Sequence, residues 1–420
     1  MLQAIHSERS GRVFVSADYG ATALDGALPA ALDRAIALPP DAQLVPLADR
    51  AAIGIDRRGQ PRPLGPARWA LAAILRPGHL RTHVPACDPA GDAAPLDPLP
   101  YAAVAADQAG EVVVAAIALG PRSTGSGGSG GSPPTSDDIA ARVTERLRAE
   151  PSNRLLRQLA RCAREYGCPT ARNAFLGRGE CALPLGAPLN DQAGPSVALR
   201  RREERAPLEP TALRVGAADA AAVANAHFRS GGTSVSFGHA CEGDPLGLVR
   251  TVADAASLIR RPADAEVVLR ASGSSAAAFA RAADAGVDRI VVALASAHGP
   301  TYERVHGPIG YRWTDVRATL REAVSRKLPV TIELLSLPGL TDRETETRTL
   351  VALLGEMPSG TALQPVDLAA DPYALLARLA QDGATIGIVA LLERLRVEAA
   401  HVRLAAVTLR AAPRLAGAPQ

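Results

Sequence analysis

Apolar residues fall into two rhythms along this chain. Over residues 11–120, short runs alternate with Pro and Gly breaks, and Arg12–Ser16, Ala67–Leu75 and Glu111–Leu119 read as strands. Asp107-Gln-Ala-Gly110, just ahead of the last run, is hairpin chemistry, since Gly accepts the positive φ such a turn requires. These runs predict a small N-terminal mixed-β module over residues 1–120. Residues 121–138 are dominated by Gly, Ser and Pro and read as a flexible linker. A helix is expected over Ile139–Arg148 and another from Asn153 to about Tyr166, where Leu155, Leu156, Leu159, Cys162 and Ala163 recur at helical spacing. Together these make a helical collar over residues 139–181.

From about Ala182 the second rhythm begins. Strand-like runs at Ser234–Gly238, Glu266–Ala271, Arg289–Ala295, Pro329–Leu335 and Thr361–Leu368 alternate with helical patterns. The helices are Gly247–Arg260, Ser275–Ala285, Asp315–Lys327, Arg343–Leu354, Asp371–Gln381 and Ile386–Glu398, with a last strand over His401–Arg410. Such alternation specifies an α/β fold, a parallel sheet wrapped by helices, over residues 182–420. Ligands in such folds sit at the carboxyl ends of the strands.

Composition narrows the classes. The chain has 420 residues, 47% of them apolar and 21% charged, as in an ordinary globular protein, and a net charge of only +3. Lys327 is the sole lysine, so the basic side chains are arginines scattered through the chain, without the clustering a nucleic-acid surface needs. No apolar run approaches the roughly 20 residues that span a bilayer, and the start MLQAIHSERSGRVFV has no secretory pattern, so a cytoplasmic chain with no membrane partner is expected. Cys87, Cys162, Cys168, Cys181 and Cys241 are odd in number and widely spaced, which suits reduced thiols better than disulfides. His239 and Cys241 lack a second ligand pair for zinc. His239, His298 and His306 read as solvent-facing loop residues. No phosphate-binding loop or nucleophile elbow is present.

Cys241-Glu-Gly-Asp-Pro-Leu246 follows the strand Val235-Ser-Phe-Gly238, and Val330 to Glu346 contains Leu337-Pro-Gly-Leu-Thr-Asp342 ahead of a helix that Asp342 would cap. Gly310-Tyr-Arg-Trp-Thr-Asp-Val316, Asn153 to Cys168 and Pro61 to Trp69 add further matches. On these pieces the chain resembles the radical S-adenosylmethionine (SAM) superfamily, and the resemblance implies a partial (β/α)6 TIM-like barrel. It also implies that Glu242, Gly243, Asp244 and Pro245 form the loop that receives the methionine end of SAM. A plain strand-to-helix turn, with Asp244 before a helix whose first turn holds Pro245, explains the same residues.

The family's Cys-x-x-x-Cys-x-x-Cys is missing. In Ala182 to Ser196 its positions hold Leu189, Ala193 and Ser196, none of which replaces a thiolate on iron. Leu269-Arg-Ala-Ser-Gly273 and the Val291, Val292, Ala293, Ala295 run suggest a pocket that has lost polar partners, and Pro365 a disturbed strand end. The expected protein is a degenerate, non-catalytic member of the family without a 4Fe-4S cluster, a binding or regulatory subunit whose partner is an active paralogue or another protein. Residual SAM binding at residues 242–245 stays open. The alternatives are an active radical SAM enzyme with relocated ligands, such as Cys162, Cys168 and Cys181, or a cluster-free enzyme that binds SAM.

Overall fold

A computed structural model describes residues 2–76, 78–119, 136–191, 214–238, 242–379 and 384–404. The 121–135 stretch of the expected linker, Ala193, Ser196, His239, Cys241 and the chain after residue 404 lie outside the described residues.

Residues 3–118 build antiparallel sheets of nine, three and two strands, more β-structure than the three runs announce. The Asp107 hairpin forms as expected, with Ala106 opposite Val112, Gly110 at φ 82°, and the Asp107 carboxylate accepting the Ala109 and Glu111 N–H groups at 2.9 Å. Glu111–Leu119 is not one strand. It breaks at Ala115, so that Val112–Val114 pairs with Ile36–Ala37 while Ala116–Ala118 pairs with His79–Arg81.

Three helices follow: α1 (Ser136–Ala149), α2 (Arg154–Glu165) and α3 (Pro169–Leu176). The Asn153 side chain caps α2 by accepting the Leu156 N–H at 2.9 Å, and Leu155, Leu156, Leu159, Cys162 and Ala163 form its buried stripe.

The rest is a parallel sheet of β1 (Glu180–Ala182), β2 (Ser234–Phe237), β3 (Glu266–Arg270), β4 (Arg289–Leu294), β5 (Val330–Ser336), β6 (Ala362–Asp367) and β7 (Arg403–Leu404), which lie side by side in chain order. Described helices between or after them are α4 (Ala217–Arg229), α5 (Val249–Leu258), α6 (Ala276–Asp284), α7 (Gly299–His306), α8 (Trp313–Ser325), α9 (Glu344–Gly355), α10 (Pro372–Arg378) and α11 (Ile388–Glu398). The first strand starts earlier than expected and contains Cys181, which pairs with Val235. Pro365 does not interrupt β6, whose pairing with β5 runs through Leu334 opposite Pro365 to Ser336 opposite Asp367. Among the described residues β7 pairs with Ala362 and Leu363.

Alternation assigns the two faces of this sheet. Cys181, Val235, Phe237, Leu269, Ile290, Val292, Leu294, Ile332, Leu334 and Leu363 turn to the helices and join one large core with Phe279, Leu320, Leu353 and Leu391. The opposite face carries Glu180, Ser236, Arg270, Val291, Ala293, Glu333, Leu335, Gln364 and Val366, by the register of the pairs. Val292 therefore belongs to the helix-packed core and never faced a pocket.

Candidate functional site

The loops at the carboxyl ends of β1, β2 and β3 meet at one point. Residues 183–187, after β1, are buried, and their backbone is held by the next loop. Glu242, 1% exposed, accepts the Leu185 and Ala187 N–H groups on Oε2 at 2.7 and 2.9 Å, and the Gly238 N–H on Oε1 at 3.1 Å. A buried carboxylate requires such donors, because desolvation without them would cost several kcal/mol. The next two residues point their backbone the same way: the Gly243 N–H donates to Ala187 O at 2.8 Å and the Asp244 N–H to Pro188 O at 3.0 Å. A Cβ on Gly243 would stand 1.9 Å from the Pro188 carbonyl oxygen, so only glycine lets the two loops lie this close.

Asp244 is the hub of the polar side chains. Its Oδ1 caps the short 3₁₀ turn Pro245–Leu248 by accepting the Leu246 N–H at 3.2 Å, with Pro245 in the first position. Its Oδ2 accepts from Asn190 Nδ2 at 2.7 Å, Ser272 Oγ at 2.6 Å and Ser274 Oγ at 2.5 Å. The third strand's loop thus supplies two hydroxyls, which corrects the expectation of a rim stripped of polar partners. Tyr302 and Tyr311 share a hydroxyl contact of 3.3 Å beside this group, and burial pushes Tyr311 up to about 12. Sequence reasoning missed Asn190, Ser272, Ser274 and Tyr311, whose serines and tyrosines carry no spacing signal of their own.

All four singled-out residues, Glu242, Gly243, Asp244 and Pro245, lie together here. Leu189, in the loop after β1, is 37% exposed.

The three cysteines weighed as relocated ligands are elsewhere. Cys162 on α2, Cys168 at the start of α3 and Cys181 in β1 are buried in the helix-packed core, on the side of the sheet away from the Arg270 face. Burial raises the Cys162 thiol to about 11, and the fully buried Cys181 thiol further, so both are thiols and not thiolates near neutrality. Among the described residues, no group of three His, Cys, Asp or Glu is placed to hold a metal ion.

His306 differs from the sequence reading. It is a core residue at the end of α7, 2% exposed, stacked on Tyr302 with ring centroids 4.2 Å apart and accepting the Ala295 N–H on Nε2 at 3.0 Å. Burial lowers its pKa to about 4, which leaves the ring neutral and able to accept. Asp342 also departs from its expected role. Arg343, not Asp342, precedes α9, and the Asp342 carboxylate instead closes the turn by accepting the Gly339 N–H at 2.7 Å.

Among the described residues no helix is long and apolar enough to cross a membrane. No protein-family model matches the chain, and no curated protein does. Among solved structures it is similar to a radical SAM methyltransferase from Sphaerobacter thermophilus, at 14% identity and TM-score 0.37, over 54% of this chain and 66%, just under two thirds, of that one. It is similar to methylornithine synthase at 11% identity and TM-score 0.36, over 64% and 75% of the two chains. Coproporphyrinogen III oxidase from Escherichia coli, a radical SAM enzyme, matches at 13% identity and TM-score 0.30 over 39% of each chain. None of these scores reaches 0.5, and the likeness assigns no residue of this chain a role.

Proposed function

We propose that this chain is a non-catalytic binding or regulatory subunit, cytoplasmic, built on a partial barrel of radical SAM type and working beside an active paralogue or another protein. The observation that carries the reading is the bonding of residues 242–244. The groups that a SAM-binding loop would offer to a ligand are turned onto the chain's own β1 loop, through Glu242 to Leu185 and Ala187 and through Gly243 and Asp244 to Ala187 and Pro188.

A partial barrel is supported by strand order. Parallel strands laid down in strict chain order, with no reversal, are the arrangement of a barrel wall and not of a doubly wound sheet. It is also supported by Arg270 on β3, whose guanidinium binds Glu180 on β1 at 3.1 and 3.0 Å and Glu333 on β5 at 2.9 Å. Strands two apart in a flat sheet are separated by about 9.5 Å, so one side chain reaches both neighbours most easily when the sheet curls toward it.

The residues present do not fit the family's cofactors. Leu189 offers no electron pair to iron, Cys162, Cys168 and Cys181 lie behind the sheet, and burial holds the Cys162 and Cys181 thiols protonated. SAM would have to take the Gly243 and Asp244 N–H groups from Ala187 and Pro188.

Anaerobic purification followed by iron and sulfide analysis, visible spectroscopy and SAM calorimetry tests this reading. Less than about 0.1 iron per chain, no cluster absorbance and no SAM heat are expected. A stoichiometric 4Fe-4S spectrum would overturn it in favour of relocated ligands. SAM binding without iron would overturn it in favour of the cluster-free enzyme.

A further inference from the structure

The antiparallel module touches the parallel sheet at the carboxyl ends of β4, β5 and β6, and what it places there is specific. Val84, fully buried, packs in one apolar cluster with Ala293, Leu335 and Val366, all on the face opposite the main helices, and with Leu337 and Leu368 at the strand ends. Leu24 of the same module packs against this cluster. Beside it lies Arg81, with no exposed surface. Its Nη2 donates to Leu368 O at 2.6 Å, its backbone N–H to the Asp367 carboxylate at 3.3 Å, and its Nε stands 3.5 Å from Asp367 Oδ1. Tyr373 of α10 donates its hydroxyl to Pro85 O at 2.8 Å. At the β5 turn Gly339 lies against Gly26, where a Cβ would come within 2.8 Å of the Gly26 carbonyl oxygen.

The polarity of the face runs opposite to that of a ligand mouth. Deeper in, it holds Arg270 with Glu333, whereas the tips hold Leu335, Val366, Leu337 and Leu368. Side chains at strand tips usually supply a site's polar contacts. On the face opposite the main helices they are apolar here, and a patch of this kind facing water would be unfavourable unless something covered it. Adhesion alone would need only apolar contact. Arg81 Nη1 also donates to Tyr101 O at 3.2 Å, while its buried Nε makes no hydrogen bond and has only the ion pair with Asp367, and because breaking a buried ion pair is costly the Arg81–Asp367 contact favours one seating of the module.

We propose that the N-terminal module is a built-in stopper for the β4–β6 half of the sheet's mouth, latched by Arg81 on Asp367, and that module and strand tips open and close as one unit. Any ligand or partner segment entering this half must displace Val84.

Residue-resolved hydrogen exchange on the full chain tests the idea. Two amides report on the two sides: that of Arg81, bonded to Asp367, and that of Leu368, bonded to Ser336 O at 2.9 Å. They are expected to exchange at matched slow rates in the wild type. Arg81→Met should accelerate both together, by at least about ten-fold, and leave the Ile290 amide unchanged. A Leu368 amide that keeps its wild-type rate while residues 79–85 exchange fast overturns the proposal. Should Arg81→Met unfold the module, Tyr373→Phe provides a milder lesion, with paired acceleration of about five-fold expected and unpaired acceleration counting against it. No iron or SAM enters this readout, so it can fail while the function proposed above stands, and the reverse.

Discussion

At the carboxyl ends of β1–β3, the edge of the sheet is closed by charge: one buried carboxylate gathers three backbone N–H groups, and a second gathers two serines and an asparagine. At the ends of β4–β6 it is closed by apolar packing, with Val84 and Leu24 against Leu335, Val366 and Leu368 and one buried arginine as the latch. The first closure is local, made by loops of the sheet itself. The second brings in a separate part of the chain. Polar closure fails abruptly when one partner is removed, because the donors left behind cannot reach water. Apolar closure loses stability in proportion to the contacts removed.

Glu242→Ala is the sharpest way to break this contrast. It strands the Leu185, Ala187 and Gly238 N–H groups and should cost about 4 kcal/mol in urea denaturation. A loss below about 1 kcal/mol would mean that the carboxylate is not the tie between the loops. Gly243→Ala, which drives a methyl into the Pro188 carbonyl, should cost about 3 kcal/mol and raise exchange across residues 183–191.

On the apolar side, Asp342 gives a pH signature. Burial raises its carboxyl from 3.8 to about 6, with Asp25 of the N-terminal module adding to the rise and the Gly339 N–H opposing it. The folded chain keeps this proton where the unfolded chain has lost it. Its stabilising contribution is therefore complete below about pH 3.8 and is lost as pH climbs through about 6, a swing of up to about 3 kcal/mol. Asp342→Asn should flatten stability over that window when melts are compared from pH 4 to 8. An unchanged profile would place the titration elsewhere. The smallest effect is expected at Cys181, a thiol that fills space: Cys181→Ala should cost about 1 kcal/mol and leave the iron content no different from that of the wild type.

Much of the fold was legible in local pattern. The strand-like run of Pro329–Leu335, the stripe of Leu155, Leu156, Leu159 and Cys162, and the Asp107 hairpin all depend on neighbours a few residues apart, and they came out close to expectation. Residues 242–245 lie after β2 at the carboxyl end of the sheet, where a strand followed by Gly-Asp-Pro places them. Its use was not legible. Glu242 resembles a ligand-binding acid in sequence, and nothing near it announces that Leu185, 57 positions earlier, will occupy it. The single Glu111–Leu119 run hid a break because both halves are equally apolar, and only their different partners separate them.

Residue identity alone determined that Leu189, Ala193 and Ser196 offer no thiolate, and periodicity alone determined that strands and helices alternate after residue 182. Tertiary structure decided that Asp244 gathers Ser272 and Ser274, that His306 is a neutral core acceptor, and that Arg81 sits on Asp367 across 286 positions. Element type follows from backbone geometry and the spacing of apolar side chains, which act over a few residues. The partner of a buried polar group is whatever the fold brings within 3 Å after water has been excluded, and that is a property of the whole packed chain.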